Sequence, residues 1–368
     1  MRSRFARGLD MLEARESVRN LPTYHPPLGG RVGLRLDFNE NTLGCSPRVL
    51  ARLREITAEE VACYPDREPV EAVVARHLGI DSQELLLTNG VDEAIHLLCE
   101  TFLEPGDEAL IVVPTFAMYG ISAAATGARV LSVPTDAEFR FPASDLLSQV
   151  TPRTRLIAIA NPNNPTGCAA EPAILVEIAR SVPQAAILVD EAYFEFYGHT
   201  ALRQWRNVPN LFVARTFSKA YGLAGLRIGA LTGNAERVPL VRRVSSPYNV
   251  NSLALVCVLA ALEDENYIRH YVSQVREGRN ELQREFSQRG IRYWPSEANF
   301  VLASFGPLKT ALIQSMRARG ILVRDRSGDH GCEGCVRITL GSTEQNAQLL
   351  RALREVLAEI GAKGVVVK

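Results

Sequence analysis

The feature that most constrains the fold is an alternation of short apolar segments with helix-like segments between residues 84 and 231. Residues 108–113 and 155–160 are largely apolar runs of the length of a buried strand. Residues 71–78 and 173–180 instead have helical character, and Gly79 follows the first of them as a stop. Strands that alternate with helices in this way predict an α/β fold.

A single lysine is the centre of the stretch TFSKAYGLAGLR at residues 216–227. The preceding residues are apolar and favour a strand, so we expect Lys219 to lie just past a strand end. A lysine in this position can form a Schiff base with an aldehyde cofactor. Thr216, Ser218 and Arg227 offer two hydroxyls and a bidentate cation, which suit a phosphate group.

Two further predicted strands deliver polar side chains at their carboxyl ends, where open α/β sheets bind ligands. The strand at residues 155–160 runs into NPNNPTG, which nominates Asn164 as a hydrogen-bonding side chain. The strand at residues 186–190 ends in Asp190, with Tyr193 three residues later. A helix N-cap is the alternative reading of Asp190.

An anion site is predicted within residues 84–95, where an apolar strand turns at Gly90 into a helix. A helix N-terminus presents unpaired backbone N–H groups, here those of Gly90, Val91 and Asp92. Asp92 is also a plausible N-cap. After the next strand comes Phe116, which would either stack on a planar ring or pack in the core.

Four residues outside these turns have both a functional and a structural reading. Tyr24 lies in a proline- and glycine-rich segment that is either a surface tail or an arm crossing an active site. Tyr64 begins a Tyr-Pro-Asp sequence, which is expected to form a turn whether or not the tyrosine has a function. Arg324 and Arg337 follow or occupy strand-like segments near the C-terminus, as surface cations or as an anion clamp.

Composition narrows the function classes. The 368 residues contain 41 basic and 41 acidic side chains, which argues against a nucleic-acid or acidic-membrane partner. The seven cysteines do not form a disulfide framework in a chain of this length. Cys332 and Cys335 form a lone CxxC, and no second pair completes a zinc site. No signal-peptide core or membrane-length apolar run is present, so we expect a soluble, cytoplasmic protein.

The ordered strings TNGVDEA, PTF, NNPTG, DEAY and TFSKAYGLAGLR resemble the fold-type I pyridoxal-phosphate aminotransferases. The strings LDFNENTLG, ILVRDR and VRITLG are similar to those of the histidinol-phosphate aminotransferases within that group. The resemblance implies a large domain with a mostly parallel central sheet flanked by helices, plus a smaller C-terminal α/β domain. It divides the chain into an N-terminal arm that packs with the small domain (1–45), the cofactor-binding domain (46–250), and the interdomain helix with the small domain (251–368).

The resemblance also implies roles for the residues named above. Lys219 would hold pyridoxal 5′-phosphate as an imine and act as general acid and base. Asp190 would keep the ring nitrogen protonated, and Tyr193 and Asn164 would hydrogen-bond the phenolic oxygen. Phe116 would stack on the ring. The cofactor phosphate would be bound by the following residues: Gly90, Val91, Asp92, Thr216, Ser218, Arg227, and Tyr64 of the second subunit of a homodimer.

The implied substrates are histidinol phosphate and the pair glutamate and 2-oxoglutarate, with Tyr24, Asn164, Arg324 and Arg337 as substrate-binding residues. An aromatic amino acid aminotransferase and a threonine-phosphate decarboxylase-like lyase are the nearest alternatives. An aminotransferase-like regulator would need a DNA-binding segment, and the first 35 residues are too short and proline-rich for one. Phe116 departs from the tyrosine that relatives often have, and the loop at residues 330–335 has no assigned role.

Overall fold

The structure is a computed structural model that describes residues 12–27 and 29–363. Its strands, in chain order, are β1 (Leu34–Arg35), β2 (Leu85–Thr88), β3 (Glu108–Val113), β4 (Arg129–Pro134), β5 (Thr154–Ala160), β6 (Ala186–Asp190), β7 (Leu211–Thr216), β8 (Gly229–Gly233), β9 (Tyr293–Trp294), β10 (Phe300–Ser304), β11 (Ile321–Leu322), β12 (Arg324–Asp325) and β13 (Cys335–Thr339).

The α-helices of the described residues are α1 (Glu16–Arg19), α2 (Pro47–Arg54), α3 (Ala58–Ala62), α4 (Glu68–Leu78), α5 (Gly90–Phe102), α6 (Met118–Ala125), α7 (Ala143–Ser148), α8 (Pro172–Ser181), α9 (Phe194–Tyr197), α10 (Val238–Arg242), α11 (Ser252–Leu262), α12 (Glu265–Gln288), α13 (Lys309–Ala318) and α14 (Thr343–Lys363). Residues 1–11, the first part of the expected N-terminal arm, lie outside the described part.

The central sheet has seven strands in the order β2-β8-β7-β6-β5-β3-β4. The pairs from β7 through β6, β5 and β3 to β4 are all parallel, and β8 is antiparallel to both of its neighbours. The predicted α/β class with a mostly parallel sheet is therefore confirmed.

Alternate residues of the central strands pack into two separate apolar layers. In β5, Ile157 and Ile159 join one cluster, whereas Leu156 and Ala158 join the other on the opposite face. Because successive side chains of a strand point to opposite faces, a strand covered on both sides is apolar throughout. The continuous apolar runs of the sequence are thus explained by burial of both faces of the sheet.

A second sheet of antiparallel strands, in the order β12-β13-β10-β9, is built from residues near the C-terminus. Next to it, β1 of the N-terminal segment pairs in parallel with β11, with Leu34 opposite Ile321. The two-residue strands β9 and β12 were not expected from the sequence, since such short segments have no detectable periodicity. The N-terminal segment is therefore tied to the C-terminal sheet.

Local signals set several element boundaries. The Ser46 side chain accepts a hydrogen bond from Arg48 N at the start of α2, and Gly79 ends α4 in the left-handed conformation. A 3₁₀ turn at Ala224–Leu226 and a left-handed Arg227, with a φ of 55°, precede β8, so this strand does not begin until Gly229. In the described residues, no helix combines the length and apolarity needed to cross a membrane.

Candidate active site

A cavity of about 220 Å³ opens where β5, β6 and β7 end, and it is lined by the last residue of each strand. The carboxyl ends of parallel strands share one edge of the sheet, which is why residues far apart in the chain meet there. The lining includes these residues nominated from the sequence: Val91, Asp92, Phe116, Asn164, Asp190, Tyr193, Thr216, Ser218, Lys219 and Arg227.

Lys219 lies three residues beyond the end of β7, and its Nζ donates a hydrogen bond to the Phe38 carbonyl oxygen at 3.3 Å. Burial and the nearby Arg337 guanidinium lower the pKa of the Lys219 amine to about 8. With this pKa, about a tenth of the lysine is neutral at pH 7, far more than for an ordinary lysine. Neutral amine is the form that attacks a carbonyl carbon, so Lys219 is set up as a nucleophile.

Asp190, at the end of β6, is buried and receives two hydrogen bonds. The Tyr119 hydroxyl donates to Oδ2 at 2.5 Å, and Ala192 N donates to Oδ1 at 3.0 Å. Burial raises the pKa of Asp190 to about 6, and the bonds from Tyr119 and Ala192 oppose that rise. The N-cap reading of Asp190 is wrong, because α9 begins at Phe194 with Tyr193 as its N-cap. The Asp190 carboxylate instead lines the cavity and can face a cation there.

The N-terminus of α5 and the turn after β7 form an anion cradle. The Ser218 hydroxyl is buried and has no hydrogen-bond partner within the described residues. Gly90, at φ +74°, starts the helix, and a Cβ on it would overlap the Arg227 guanidinium. Arg227 Nη2 is 2.7 Å from the Asp92 carboxylate. Asp92 is thus the third helical residue and holds Arg227, so the N-cap reading of Asp92 is wrong.

Tyr193 is buried at the cavity wall, with its ring edge-to-face against Phe300 at a centroid distance of 5.2 Å. Asn39 Nδ2 donates to the Tyr193 hydroxyl at 2.9 Å. Burial raises the pKa of Tyr193, while Arg337 and the Asn39 bond lower it. The phenol therefore keeps its proton at neutral pH.

Two arginines of the C-terminal sheet, Arg337 and Arg324, contact the lining residues Asn164 and Phe38 but are not themselves part of the cavity lining. Arg337 is buried; its Nη1 donates to Asn164 Oδ1 and its Nη2 donates to the Asp37 carbonyl oxygen. Burial, Arg326 and Arg324 lower the pKa of Arg337 to about 10. Within the described residues, no carboxylate lies in salt-bridge distance of Arg337 or Arg324. A buried guanidinium without an acidic partner can be stabilised by an anion that binds beside it.

The sequence of this chain is similar to those of a known family of proteins. The sequence profile for aminotransferase class I and II matches residues 31–353. The chain belongs to the class I and II aminotransferase family. It is 35% identical over 364 residues to the histidinol-phosphate aminotransferase of Moorella thermoacetica, which covers 94% of this chain and 93% of that protein.

Two more comparisons agree with this family. Over 368 residues the chain is 35% identical to the histidinol-phosphate aminotransferase of a Geobacillus species, covering 95% of this chain and 99% of that one. The crystal structure of histidinol-phosphate aminotransferase from Sinorhizobium meliloti, in complex with pyridoxal 5′-phosphate, superposes with a TM-score of 0.85 at 26% identity. That superposition covers 97% of this chain and 99% of the other.

Aminotransferases of this family use pyridoxal 5′-phosphate, and the residues around the cavity fit that cofactor. The unpartnered Ser218 hydroxyl and the cradle at Gly90 suit its phosphate. The Asp190 carboxylate suits a protonated ring nitrogen, since a buried carboxylate is stabilised by a cation. Phe116 offers a flat apolar face in the same cavity.

Two nominated tyrosines lie elsewhere in the aminotransferase chain. Tyr24 is exposed and is not part of the cavity lining. Tyr64 is 79% exposed and stacks on Tyr248, with ring centroids 4.2 Å apart. Neither tyrosine reaches the cavity of its own chain.

In the CxxC pair of the aminotransferase, Cys332 lies in the turn that precedes β13, and Cys335 is the first residue of that strand. Cys335 N donates to the Cys332 carbonyl oxygen at 2.9 Å, and both side chains are buried beside Trp294 and Leu302. In the described part of the chain, no group of three or more His, Cys, Asp or Glu side chains is placed to hold a metal ion. The pair packs as part of a small apolar cluster.

Sequence reasoning missed residues that shape the same site: Phe38, Asn39, Glu40 and Tyr119. Tyr119 had one usable signal, because it follows Phe116 by only three residues, and the two rings indeed meet edge-to-face at a centroid distance of 5.8 Å. The string LDFNEN was noticed as a family pattern, but nothing local in it indicates that Asn39 contacts Tyr193, 154 residues away.

Proposed function

We propose that this chain is a histidinol-phosphate aminotransferase, which converts L-histidinol phosphate and 2-oxoglutarate into imidazole acetol phosphate and glutamate. The reaction is a step of histidine biosynthesis. The observation that carries the proposal is the pair of arginines, Arg324 and Arg337, on facing strands without an acidic partner in the described residues. The names of the two relatives at 35% identity support the same substrate.

The charges of the two substrates explain why a paired cation suits both. Histidinol phosphate carries a phosphate and no carboxylate, whereas glutamate carries two carboxylates. Arg337, with Asn164 beside it, would bind the anion nearest the reacting carbon, and Arg324 would share the same anion or the distal one. An aromatic substrate needs only one cation and an apolar pocket, so the second arginine favours the phosphate.

The cofactor supplies a ring that withdraws electrons from the carbon next to the substrate nitrogen when it is bound. Lys219 moves the proton at that carbon, since its lowered pKa places Nζ between donor and acceptor behaviour at neutral pH. Asp190 holds a positive charge on the ring nitrogen. Tyr193 and Asn164 orient the ring through its phenolic oxygen, and Phe116 packs on its face.

The phosphate of the cofactor would be held by the cradle described above. The proposed contacts are the backbone of Gly90, Val91 and Asp92, the hydroxyls of Thr216 and Ser218, and the Arg227 guanidinium. Asp92 then acts twice, through its N–H toward the phosphate and through its carboxylate toward Arg227. Removing either half of the ion pair would loosen the cradle.

Tyr64 would complete the phosphate site of a second subunit in a homodimer. Its side chain stacks on Tyr248 and is exposed to solvent, so it is accessible to a second subunit. Tyr24 would add a hydroxyl to the substrate site from the arm. We further propose a cytoplasmic location and the division 1–45, 46–250 and 251–368, which follows the separation of the two larger sheets.

Two other reactions use similar chemistry. An aromatic amino acid aminotransferase would need an apolar side-chain pocket. A threonine-phosphate decarboxylase-like lyase also binds a phosphorylated amine, but it needs no oxo-acid acceptor. A glutamate half-reaction therefore separates the lyase from both aminotransferases.

The experiment mixes the cofactor-loaded enzyme separately with L-histidinol phosphate, glutamate, phenylalanine and threonine phosphate. Absorbance follows conversion of the cofactor to its pyridoxamine form, and a second assay measures released carbon dioxide. Fast conversion by histidinol phosphate and glutamate, with slow conversion by phenylalanine, is the expected result. Faster conversion by phenylalanine than by histidinol phosphate assigns the aromatic reaction, and carbon dioxide from threonine phosphate alone assigns the lyase.

A further inference from the structure

Asn39 is the meeting point of three distant parts of the chain. It is 1% exposed and has a left-handed φ of 57°. Its backbone N–H donates to Thr339 Oγ1 at 3.2 Å, and its carbonyl oxygen accepts from Asn299 Nδ2 at 3.1 Å. Its side chain lies between Thr339 Oγ1 and the Tyr193 hydroxyl, each at 2.9 Å. An asparagine tolerates this backbone conformation better than most residues.

The backbone fixes the direction of these bonds. An N–H group can only donate, so the Asn39 N–H occupies a lone pair of Thr339 Oγ1 and leaves the single hydroxyl proton to find an acceptor. Among the described residues the only acceptor bonded to that hydroxyl is Asn39 Oδ1. Turning the Asn39 amide over would leave a buried hydroxyl proton without a partner, which is costly. Oδ1 therefore faces Thr339, and Nδ2 faces Tyr193.

The orientation of the Asn39 amide also fixes the direction of the hydrogen bond to Tyr193 in the active site. Nδ2 can only donate, so the Tyr193 oxygen accepts from Asn39, and its own proton must point elsewhere. Tyr193 lines the cavity beside Asp190 and Lys219. We propose that Asn39 and Thr339 are positioning residues that direct the Tyr193 proton into the cavity, toward an anionic or phenolic oxygen of the bound cofactor. This inference rests on the proposed function for the identity of that oxygen.

The hydrogen-bonded chain of Thr339, Asn39 and Tyr193, here called the relay, is also connected to the proposed substrate-binding residue Arg337. Thr339 and Arg337 are two residues apart on β13, so their side chains lie on the same face of the sheet. Arg337 Nη2 donates to the Asp37 carbonyl oxygen, two residues before Asn39. The strand that carries the anion-binding arginine thus also carries the hydroxyl that orients Asn39. The relay therefore forms only when residues 37–39 lie against β13 in the alignment that these hydrogen bonds define.

The test is a pH titration of the cofactor absorbance in the loaded enzyme, without any substrate. A hydroxyl that donates to the phenolic oxygen stabilises its deprotonated form, so losing the donor raises the pKa of the chromophore. Thr339→Val removes the relay hydroxyl without changing the side-chain shape. We expect a rise of about 0.5 to 1 pH unit, the equivalent of one neutral hydrogen bond. Tyr193→Phe, which removes the donor itself, should give a rise at least as large.

Three further variants make the result specific. Thr339→Ser restores the hydroxyl and should titrate like wild type. Asn39→Asp presents a carboxylate that draws the Tyr193 proton away from the cavity, so it should raise the chromophore pKa more than Thr339→Val does. Thr232→Val is the matched control, because Thr232 is equally buried on β8 and its hydroxyl donates to Val213 O, outside the relay.

A double variant decides whether the effect passes through Tyr193. Thr339→Val should add no further shift in a Tyr193→Phe background. A wild-type titration in Thr339→Val, an equal shift in Thr232→Val, or a full additional shift in the double variant would each overturn the relay. The titration needs no substrate, so an error in the proposed substrate appears only in the substrate panel and leaves this outcome unchanged.

Discussion

Arg324 and Arg337 lie directly opposite each other on the antiparallel strands β12 and β13. Like charges in directly opposed positions repel, and one of the two is buried. The Arg324 guanidinium lies 5.1 Å from the centre of the Phe38 ring, and Arg337 lies 5.2 Å from that of Phe300. Aromatic faces offset part of the charge, but an anion bound between the two guanidinium groups would offset far more.

The first prediction concerns these arginines. Arg337→Met should lower kcat/KM for histidinol phosphate by about 30- to 100-fold, the equivalent of the charge-assisted hydrogen bonds that an anion would lose. Arg324→Met should lower it less, since Arg324 is only half-buried. Steady-state kinetics with histidinol phosphate and with glutamate provide the measurement.

Arg326→Met is the control for nonspecific loss of charge. Arg326 lies two residues from Arg324, but its Nε is 2.5 Å from Asp329, so it already has an acidic partner. Its replacement should change kcat/KM by less than about threefold, as expected for a side chain that does not touch the substrate. Equal losses in Arg326→Met and Arg337→Met would show that Arg337 contributes only to the general potential.

Lys219→Ala should reduce turnover by about 10³-fold or more, because both the nucleophile and the proton carrier are removed. The side chain makes one hydrogen bond, to Phe38 O, so the fold should survive. Single-turnover kinetics measure the loss, and the circular dichroism melting curve checks the fold. Retained steady-state transamination in a folded Lys219→Ala enzyme would contradict the assignment.

The sequence predicted the residues of the site that follow predicted strands. Asn164, Asp190 and Lys219 each come after an apolar run, and parallel strands bring their carboxyl ends together whatever fills the loops between them. Arg324 and Arg337 were recognised as a pair, but their facing positions depend on the two-residue strand β12, which no periodicity indicates.

Contacts between distant residues could not be predicted from the sequence. Asn39 bonds to Thr339 across 300 positions, and Tyr119 bonds to Asp190 across 71. Such bonds depend on how complete elements pack, and an asparagine or a tyrosine has the same local propensity whether or not a partner faces it. The supporting groups of the site are therefore visible only in the folded chain.

Gly90→Ala should weaken cofactor binding through a local clash. A Cβ at residue 90 would overlap the Arg227 guanidinium, and the φ of +74° adds backbone strain. We expect the dissociation constant of pyridoxal 5′-phosphate to rise about tenfold or more if one charge-assisted contact is lost. Fluorescence titration of the apoprotein measures it.

Gly106→Ala is a control that distinguishes the effect of backbone strain from that of the clash with Arg227. Gly106 has a φ of +94°, and nothing lies within 4 Å of the position its Cβ would occupy. Both alanine variants should lose roughly 1 kcal/mol or more of stability through the left-handed backbone. Only Gly90→Ala should lose cofactor affinity, and an equal loss in Gly106→Ala would mean that strain alone accounts for it.

Asp190 should make the stability of the apoprotein depend on pH. Its folded-state pKa of about 6 lies above the ordinary value of 3.8, so the folded chain binds this proton more tightly than the unfolded chain. The stability contributed by the proton is full below the unfolded pKa and is lost as pH rises through 6. Wild type should therefore lose about 2 kcal/mol relative to Asp190→Asn between about pH 4 and about pH 7.

Denaturant unfolding of both apoproteins at several pH values gives this difference. Asp190→Asn is the matched reference, since it keeps the size of the side chain and removes only its titration. Adding the cofactor should flatten the wild-type dependence, because a protonated ring nitrogen would stabilise the carboxylate. Parallel pH curves for the two apoproteins would show that Asp190 titrates normally.

Tyr64 allows the proposed dimer to be tested by complementation between two inactive variants. If Tyr64 serves the partner's site, a Tyr64→Ala subunit keeps its own Lys219 but deprives its neighbour of the tyrosine. A Lys219→Ala subunit has no working site but still presents Tyr64. In a mixed dimer, the site on the Tyr64→Ala subunit then contains both residues.

An equal mixture should therefore recover activity that neither variant has alone. Random exchange makes half of the dimers mixed, with one restored site in each, so activity should reach about a quarter of the wild-type level in a two-fold symmetric dimer. The variants are unfolded together, refolded and assayed, with each variant refolded alone as the control. Because Tyr64 is 79% exposed and its ring stacks on another exposed ring, that of Tyr248, its loss should leave the subunit folded. A mixture that stays as inactive as its components would show that Tyr64 does not act across the interface.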